Sequence, residues 1–265
     1  MNARIDLSIL SERPLANAMP RARVFNAYLQ EARSEILRYL RNPGFIVPML
    51  AFSSVFYLMF GVVLNHGNAG AQRYLLASYA AFGVMGPGLF GFGVSLGAER
   101  ENGLLTLKRA LPMPPLAYLL GKMAMAMLMA AMVMALLLSL GLFAAHVPLA
   151  AAQVVAMLAT GTFGVLPFCA LGLLVGTLVK GQAAPGMVNL VYLPMAFLSG
   201  LWLPLSMLPK ALGSIAPAWP SYHLNALMQV AVGTQHGSVA SHLLALAGFT
   251  AAFLLLAARR LRRHG

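Results

Sequence analysis

The stretch MAMAMLMAAMVMALLLSLGLFAAHV, residues 123–147, holds no acid and no Lys or Arg over 25 positions. One helical bilayer crossing takes about 20 apolar residues, so this run reads as a transmembrane helix. Five further uncharged apolar runs lie around it, at 45–64, 75–97, 154–179, 183–203 and 239–258. The 265-residue chain is 60% apolar and 9% charged, against about 25% charged in ordinary soluble domains. A water-soluble fold is excluded, and the length leaves little beyond six spans and their connections. We therefore expect an all-α membrane protein of six transmembrane helices, forming one domain over residues 1–265.

Orientation follows from the basic residues. Of 18 Lys and Arg, seven precede the first run, four lie from Arg100 to Lys122, Lys180 stands alone, and four follow Ala258, leaving Arg73 and Lys210 for the other side. That asymmetry obeys the positive-inside rule and places both termini in the cytoplasm of a multi-pass protein of the cell (inner) membrane. The net charge of +12 is then an orientation signal and a contact for lipid headgroups, with no nucleic-acid partner implied. Residues 1–44 form a cytoplasmic segment rather than a secretory signal. Within it Phe25, Tyr28, Leu29, Ala32, Ile36, Tyr39 and Leu40 recur at helical spacing opposite Gln30, Glu31, Arg33, Glu35 and Arg38. An amphipathic helix on the membrane surface fits this pattern, as does a solvated amphipathic helix; direct junction to the first apolar run favours the former.

Small residues mark two spans. Gly83, Gly86, Gly88, Gly91, Gly93 and Gly97 fall in the second, and Gly161, Gly164, Gly172 and Gly176 in the fourth. Helices pack closely in lipid where side chains are small. Pro87, Pro167, Pro185 and Pro194 are kink sites. The alternate spacing of Met123, Met125, Met127 and Met129 spreads them around their helix and makes no methionine face. Residues 204–238 are too apolar for a solvated loop and are broken by Pro204, Pro209, Pro217 and Pro220. An external re-entrant segment is the expectation, with a lid as the alternative, and Trp202, Trp219 and Tyr222 suit the headgroup level.

Catalytic and energy-coupling motifs fail in turn. Gly93-Val94-Ser95-Leu96-Gly97 has the letters of a nucleophile elbow, yet the only acids after Ser95 are Glu99 and Glu101, on the same stretch, so a membrane-embedded serine hydrolase at Ser95 is a poor fit. No Walker loop precedes Gly121-Lys122. His66, His146, His223, His236, His242 and His264 show no metal-ligand spacing, and one cysteine, Cys169, makes neither disulfide nor thiolate cluster, so no metal site is expected. All six acids lie at or before Glu101, which disfavours a carrier coupled through intramembrane carboxylates. Ser53, Tyr57, Tyr79, Asn189 and Tyr192 are neutral polar residues suited to a pathway for an apolar or amphipathic cargo, although interhelical hydrogen bonding is the commoner use of such groups.

The connection between the second and third spans reads Glu99-Arg100-Glu101-Asn102-Gly103-Leu104-Leu105-Thr106-Leu107-Lys108-Arg109-Ala110-Leu111-Pro112-Met113-Pro114-Pro115. Acids at its start and bases toward its end suit the dipole of a short helix, and its leucines make an apolar side that needs a partner. This string, with glycine two residues after the second acid and a proline nine positions later, resembles the cytoplasmic coupling segment of type-two ABC transporter permeases. The order of elements is similar too: a basic amphipathic amino-terminal helix, six spans, and a Pro-rich external segment before the last span. Leu104 and Leu111 depart from the threonines common in that family.

The resemblance implies a permease subunit that catalyses nothing itself, pairs with a second permease copy and two ABC ATP-binding subunits, and holds no cofactor. ATP and Mg would sit in the partner. Segment 98–115 would touch that partner through Glu99, Arg100, Glu101, Gly103, Leu105, Thr106, Lys108 and Arg109. Export of a drug-like molecule or lipid by alternating access is the expected activity. Polysaccharide or lipid-linked glycan export and an ATPase-independent carrier or channel remain alternatives.

Overall fold

The computed structural model describes residues 20–104, 114–179 and 181–264, and among them every regular element is helical. Helix α1 spans Arg21–Leu40 and α2 spans Pro43–Phe56, widening into a π-helical stretch at Tyr57–Val63. A tight turn leads to α3, Ala69–Gly88, which passes through a second π stretch at Leu89–Val94 into α4, Ser95–Glu101. Helix α5, Pro115–Ser139, is followed by α6, Ala151–Gly164, and α7, Leu166–Leu178. The rest comprises α8, Ala184–Leu198; α9, Lys210–Ile215; α10, Pro220–Val232; and α11, Val239–His264.

Five stretches are long and apolar enough to cross a membrane: Pro43–Val63, Ala69–Glu101, Leu116–Ala144, Ala151–Leu178 and Val239–Arg260. The expected fifth of six falls short of that length. Helix α8 has 15 residues, about 22 Å at a rise of about 1.5 Å per residue, whereas the hydrocarbon layer is about 30 Å thick. It stops because Gly200 adopts a left-handed φ of 75°, a conformation that glycine takes without the steric cost of a Cβ. The third span also begins earlier than its apolar run suggests. Pro115 opens α5 as a first-turn proline whose missing N–H costs nothing there, so Lys122 lies inside the helix.

The α3–α4 rod is the axis of the bundle: 89% of its apolar window is inside, against 22% for the α2 span and 6% for α11. Glycine explains why it can be central. A Cβ on Gly172 would stand 2.7 Å from the Gly88 carbonyl oxygen, and one on Gly176 would stand 2.9 Å from that of Gly93. Helix α7 therefore crosses the rod backbone to backbone, a close approach of the kind that small residues permit. Between α6 and α7 the helix breaks at Val165, just before Pro167.

Inside segment 204–238, α10 is packed against α3 and α6 rather than forming an open loop. A polar seam fixes it. Gln229 donates to Ser78 Oγ at 3.0 Å and to the Tyr74 carbonyl at 3.1 Å, Ser199 and Ser221 share a hydrogen bond, and Asn225 lies beside Ser78. The Trp202 ring stacks on Phe56 and meets Phe82 edge-on, where the turn at Gly200 folds it back over α3.

Candidate functional site

Three helices each bring an i, i+4 pair to one point. Such pairs share a helix face, and here the faces converge: Glu35 and Tyr39 from α1, Ser95 and Glu99 from α4, Tyr118 and Lys122 from α5. Lys122 is wholly buried, with Nζ 2.9 Å from Ser95 Oγ, 3.0 Å from Glu99 Oε1 and 3.3 Å from Glu35 Oε2. Glu99 and Glu35 are each 2% exposed. Tyr118 donates to the second Glu99 oxygen, and Arg38 donates to Glu99 from the rim. Among the described residues, two carboxylates thus face one ammonium and one guanidinium. Buried charges persist only where they are paired and hydrogen-bonded, and this junction meets both conditions.

Its edges are tuned by the same burial. Burial pushes the Tyr39 phenol up to about 12, so it remains a donor, to the Gly91 carbonyl at 3.0 Å. Burial alone would lower the Arg38 guanidinium; the carboxylates of Glu99 and Glu35 reverse this and hold it above its ordinary value.

The junction revises two expectations. Helix α1 does not present its whole polar face to water. Arg33 is exposed and Arg38 half-exposed, but Glu35 is turned inward and Glu31 packs its Cγ near Gly121 of α5, while Phe25 and Leu29 point outward. An inward carboxylate is stable here because Lys122 neutralises it. Glu99, expected at a partner surface, is likewise turned into its own chain. Tyr39, Ser95, Tyr118 and Lys122 were missed as members, although the spacings E-x-x-x-Y, S-x-x-x-E and Y-x-x-x-K are visible in the sequence. Ser95 donates to the Gly91 carbonyl and accepts from Lys122 on a continuous helix, so it lacks the exposed turn of a nucleophile elbow.

Beyond Glu99 the chain turns outward. Arg100 donates to the Thr177 carbonyl at 3.1 Å, and Arg260 reaches the same oxygen at 3.3 Å, two cations on the last carbonyls of α7. Glu101 is exposed beside Gly181, and Gly103 takes a left-handed φ of 70° as α4 ends. Leu105, Thr106, Lys108 and Arg109 lie outside the described residues. Among the described residues no cluster of three or more His, Cys, Asp or Glu is placed to hold a metal.

A cavity of about 460 Å³ lies between α2, α3 and α8. Three of the five expected pathway residues, Ser53, Asn189 and Tyr192, line it, while Tyr79 lines a second cavity of about 540 Å³ nearer the α2–α3 turn. Tyr57 lines neither and is fully buried against Gly61. An aromatic septum parts the two. Phe82 sits 5.6 Å from Phe52, 4.9 Å from Tyr192 and 5.6 Å from Trp202, centroid to centroid. Tyr192 fixes its own ring by donating to the Phe82 carbonyl at 3.1 Å.

The model of the family described as ABC-2 type transporter matches residues 28–232. The chain belongs to that family. The permease is also 30% identical over 202 residues to "Putative transport permease YvfS" of Bacillus subtilis (strain 168), a match covering 75% of this chain and 82% of that protein. The chain is thus a multi-pass membrane protein and a transport permease, a non-enzymatic subunit whose family implies an ABC ATP-binding partner. The match takes in α1 and α10 together with the helices between them.

Proposed function

We propose that the permease exports an apolar or amphipathic molecule across the inner membrane, driven by ATP and Mg bound in two partner ATPase subunits, with a second permease copy completing the gate. In this reading α8 is a sixth, short crossing, both termini face the cytoplasm, and α9–α10 dip into the bundle from outside as a re-entrant segment. The packing of α10 against α3 and α6 supports the last point.

The observation that carries the proposal is the charged junction at the root of segment 98–115. A push on that segment reaches α4 at Glu101, and the same turn of α4 holds Glu99, which is bound to α1 through Arg38 and to α5 through Tyr118 and Lys122. Force arriving at one exposed point is shared among three helices. The chain supplies no phosphate-binding loop of its own, so the energy comes from a neighbour. Reversal of Glu101 to Lys tests this in cells or liposomes holding the permease with its ATPase. ATP hydrolysis should continue while export falls and the protein stays inserted. Unchanged export, or uphill transport by the purified permease alone, would refute the assignment.

A further inference from the structure

We infer that His223 and His242 form a proton-operated clasp between α10 and α11, closed while the pair carries no more than one positive charge and opened when both rings are protonated. The inference goes beyond the transport reading, since it concerns how the bundle is held together at the end of α11 remote from Arg260.

The partners fix the tautomers. His223 Nε2 lies 3.0 Å from the Pro217 carbonyl oxygen, which can only accept, so that nitrogen carries a hydrogen. Nδ1 of a neutral His223 is then the acceptor, and His242 Nδ1–H donates to it at 2.9 Å. The ring centroids stand 5.2 Å apart, close to the N–N distance and the two ring radii laid end to end. The two nitrogens therefore point straight at each other, as a hydrogen bond requires, and the same alignment leaves no point where both lone pairs could meet on a metal ion. One proton fits on that axis. A first added proton, at His242 Nε2, leaves the axis as it was. A second must go to His223 Nδ1, which sets two N–H groups head to head and two like charges side by side.

The surroundings offer those charges no counter-charge. The rings of Tyr222 and Phe249 enclose the pair. No Asp or Glu follows Glu101 in the chain, so α9, α10, α11 and the turn at Ala216–Ala218 hold no carboxylate, and the helices packed on them, α6 and α7, hold no charged residue. What the neighbouring segments do bring is basic: exposed Lys210 on α9, exposed His236 in the connection to α11, and Arg73 on α3, which donates to the Pro148 carbonyl. Arg259 and Arg260 lie at the other end of α11, about 25 Å from His242 at about 1.5 Å per residue. Both imidazoles are partly exposed, so protons reach them from water, and histidine is the side chain that titrates between about pH 5 and 8. The clasp also joins unlike partners. Helix α10 is keyed to α3 through Gln229, whereas α11 has only 6% of its apolar window inside, so releasing the pair frees the outer turn of the least enclosed span. In the transport reading this end faces the medium, whose acidity then sets the clasp.

The test uses the full-length permease in nanodiscs, with Cys169→Ser and nitroxide labels at Ala218→Cys and Ser241→Cys, two exposed positions flanking the pair. The spin–spin distance is read by electron paramagnetic resonance from about pH 8 to about pH 5. The short-distance population should fall at least roughly threefold on acidification and return when the pH is restored. His242→Asn is the decisive variant. Its amide N–H donates to neutral His223 Nδ1, and its carbonyl accepts from protonated His223, so the clasp should stay closed across the whole range. His242→Phe keeps a ring but no donor and should show the longer distance at every pH. His236→Asn should leave the acid opening unchanged. A distance that does not move with pH in the parent would overturn the inference, as would opening that persists in His242→Asn, opening abolished by His236→Asn, or a change that does not reverse. The distances are read without the ATPase, so failure here is separable from failure of the transport reading, which falls on the Glu101→Lys experiment.

Discussion

Replacing Lys122 by methionine removes the one fully buried ammonium among the described residues and leaves Glu35 and Glu99, each 2% exposed, on either side of the gap it occupied. Arg38, 46% exposed in its side chain, reaches Glu99 but cannot replace contacts at 3.0 and 3.3 Å to both acids. Removing one member of a buried pair costs about 3–5 kcal/mol, chiefly because the partner charge is stranded. For a protein of this size that is a fall in melting temperature on the order of 10 °C. The decisive comparison removes the stranded carboxylate as well. Lys122→Met/Glu99→Gln restores the native net charge, so the double variant should melt above Lys122→Met alone and show a coupling of roughly 2–3 kcal/mol. Thermal unfolding followed by tryptophan fluorescence, on protein in liposomes, gives all four corners of the cycle. If Lys122→Met melts with the native chain, or if the double variant is worse than the sum of the singles, the junction is not the paired charge system described.

The backbone crossing predicts that Gly172→Ala, whose Cβ would press on the Gly88 and Leu89 carbonyls at 2.7 and 2.9 Å, costs about 1–3 kcal/mol, seen as lower melting and yield. Gly248→Ala in α11, where nothing lies within 4 Å, should be neutral or slightly stabilising by the same assay. Gln229→Leu strands Ser78 and the Tyr74 carbonyl and should lower stability by about 1–3 kcal/mol; faster proteolysis of α10 would report it. Arg260→Ala should have a small effect while Arg100 holds the Thr177 carbonyl, and the Arg100→Ala/Arg260→Ala pair a larger one, measured as cleavage near the end of α7.

The spans and the close packing of the glycine-bearing helices were legible because both are local properties: run length sets span length, and a missing side chain sets approach distance; that α3 and α7 meet each other is tertiary. Ser53, Asn189 and Tyr192 were singled out in the sequence as neutral polar groups in apolar helices, and all three line one cavity. The junction was not. Lys122 counts equally as an orientation charge whether it points to water or inward, and the same periodicity that marks Glu35 as polar is silent on which neighbour neutralises it. Only the convergence of three separate i, i+4 pairs, over 20 residues apart in sequence between Ser95 and Lys122 and 60 between Glu35 and Ser95, reveals the site, and that convergence is tertiary. The short α8 escaped because a left-handed glycine ended a helix inside an unbroken apolar run.

Where α7 meets the central rod, carbonyl oxygens rest against α-carbons with no side chain between them. Such a joint has no compliant layer to shear, so the two helices move as a single strut. In the transport cycle proposed above, a change of shape would then fall on the other flank, where rings and an open space lie between α2, α8 and the rod. The stiff side is written in where the glycines of two helices face backbone.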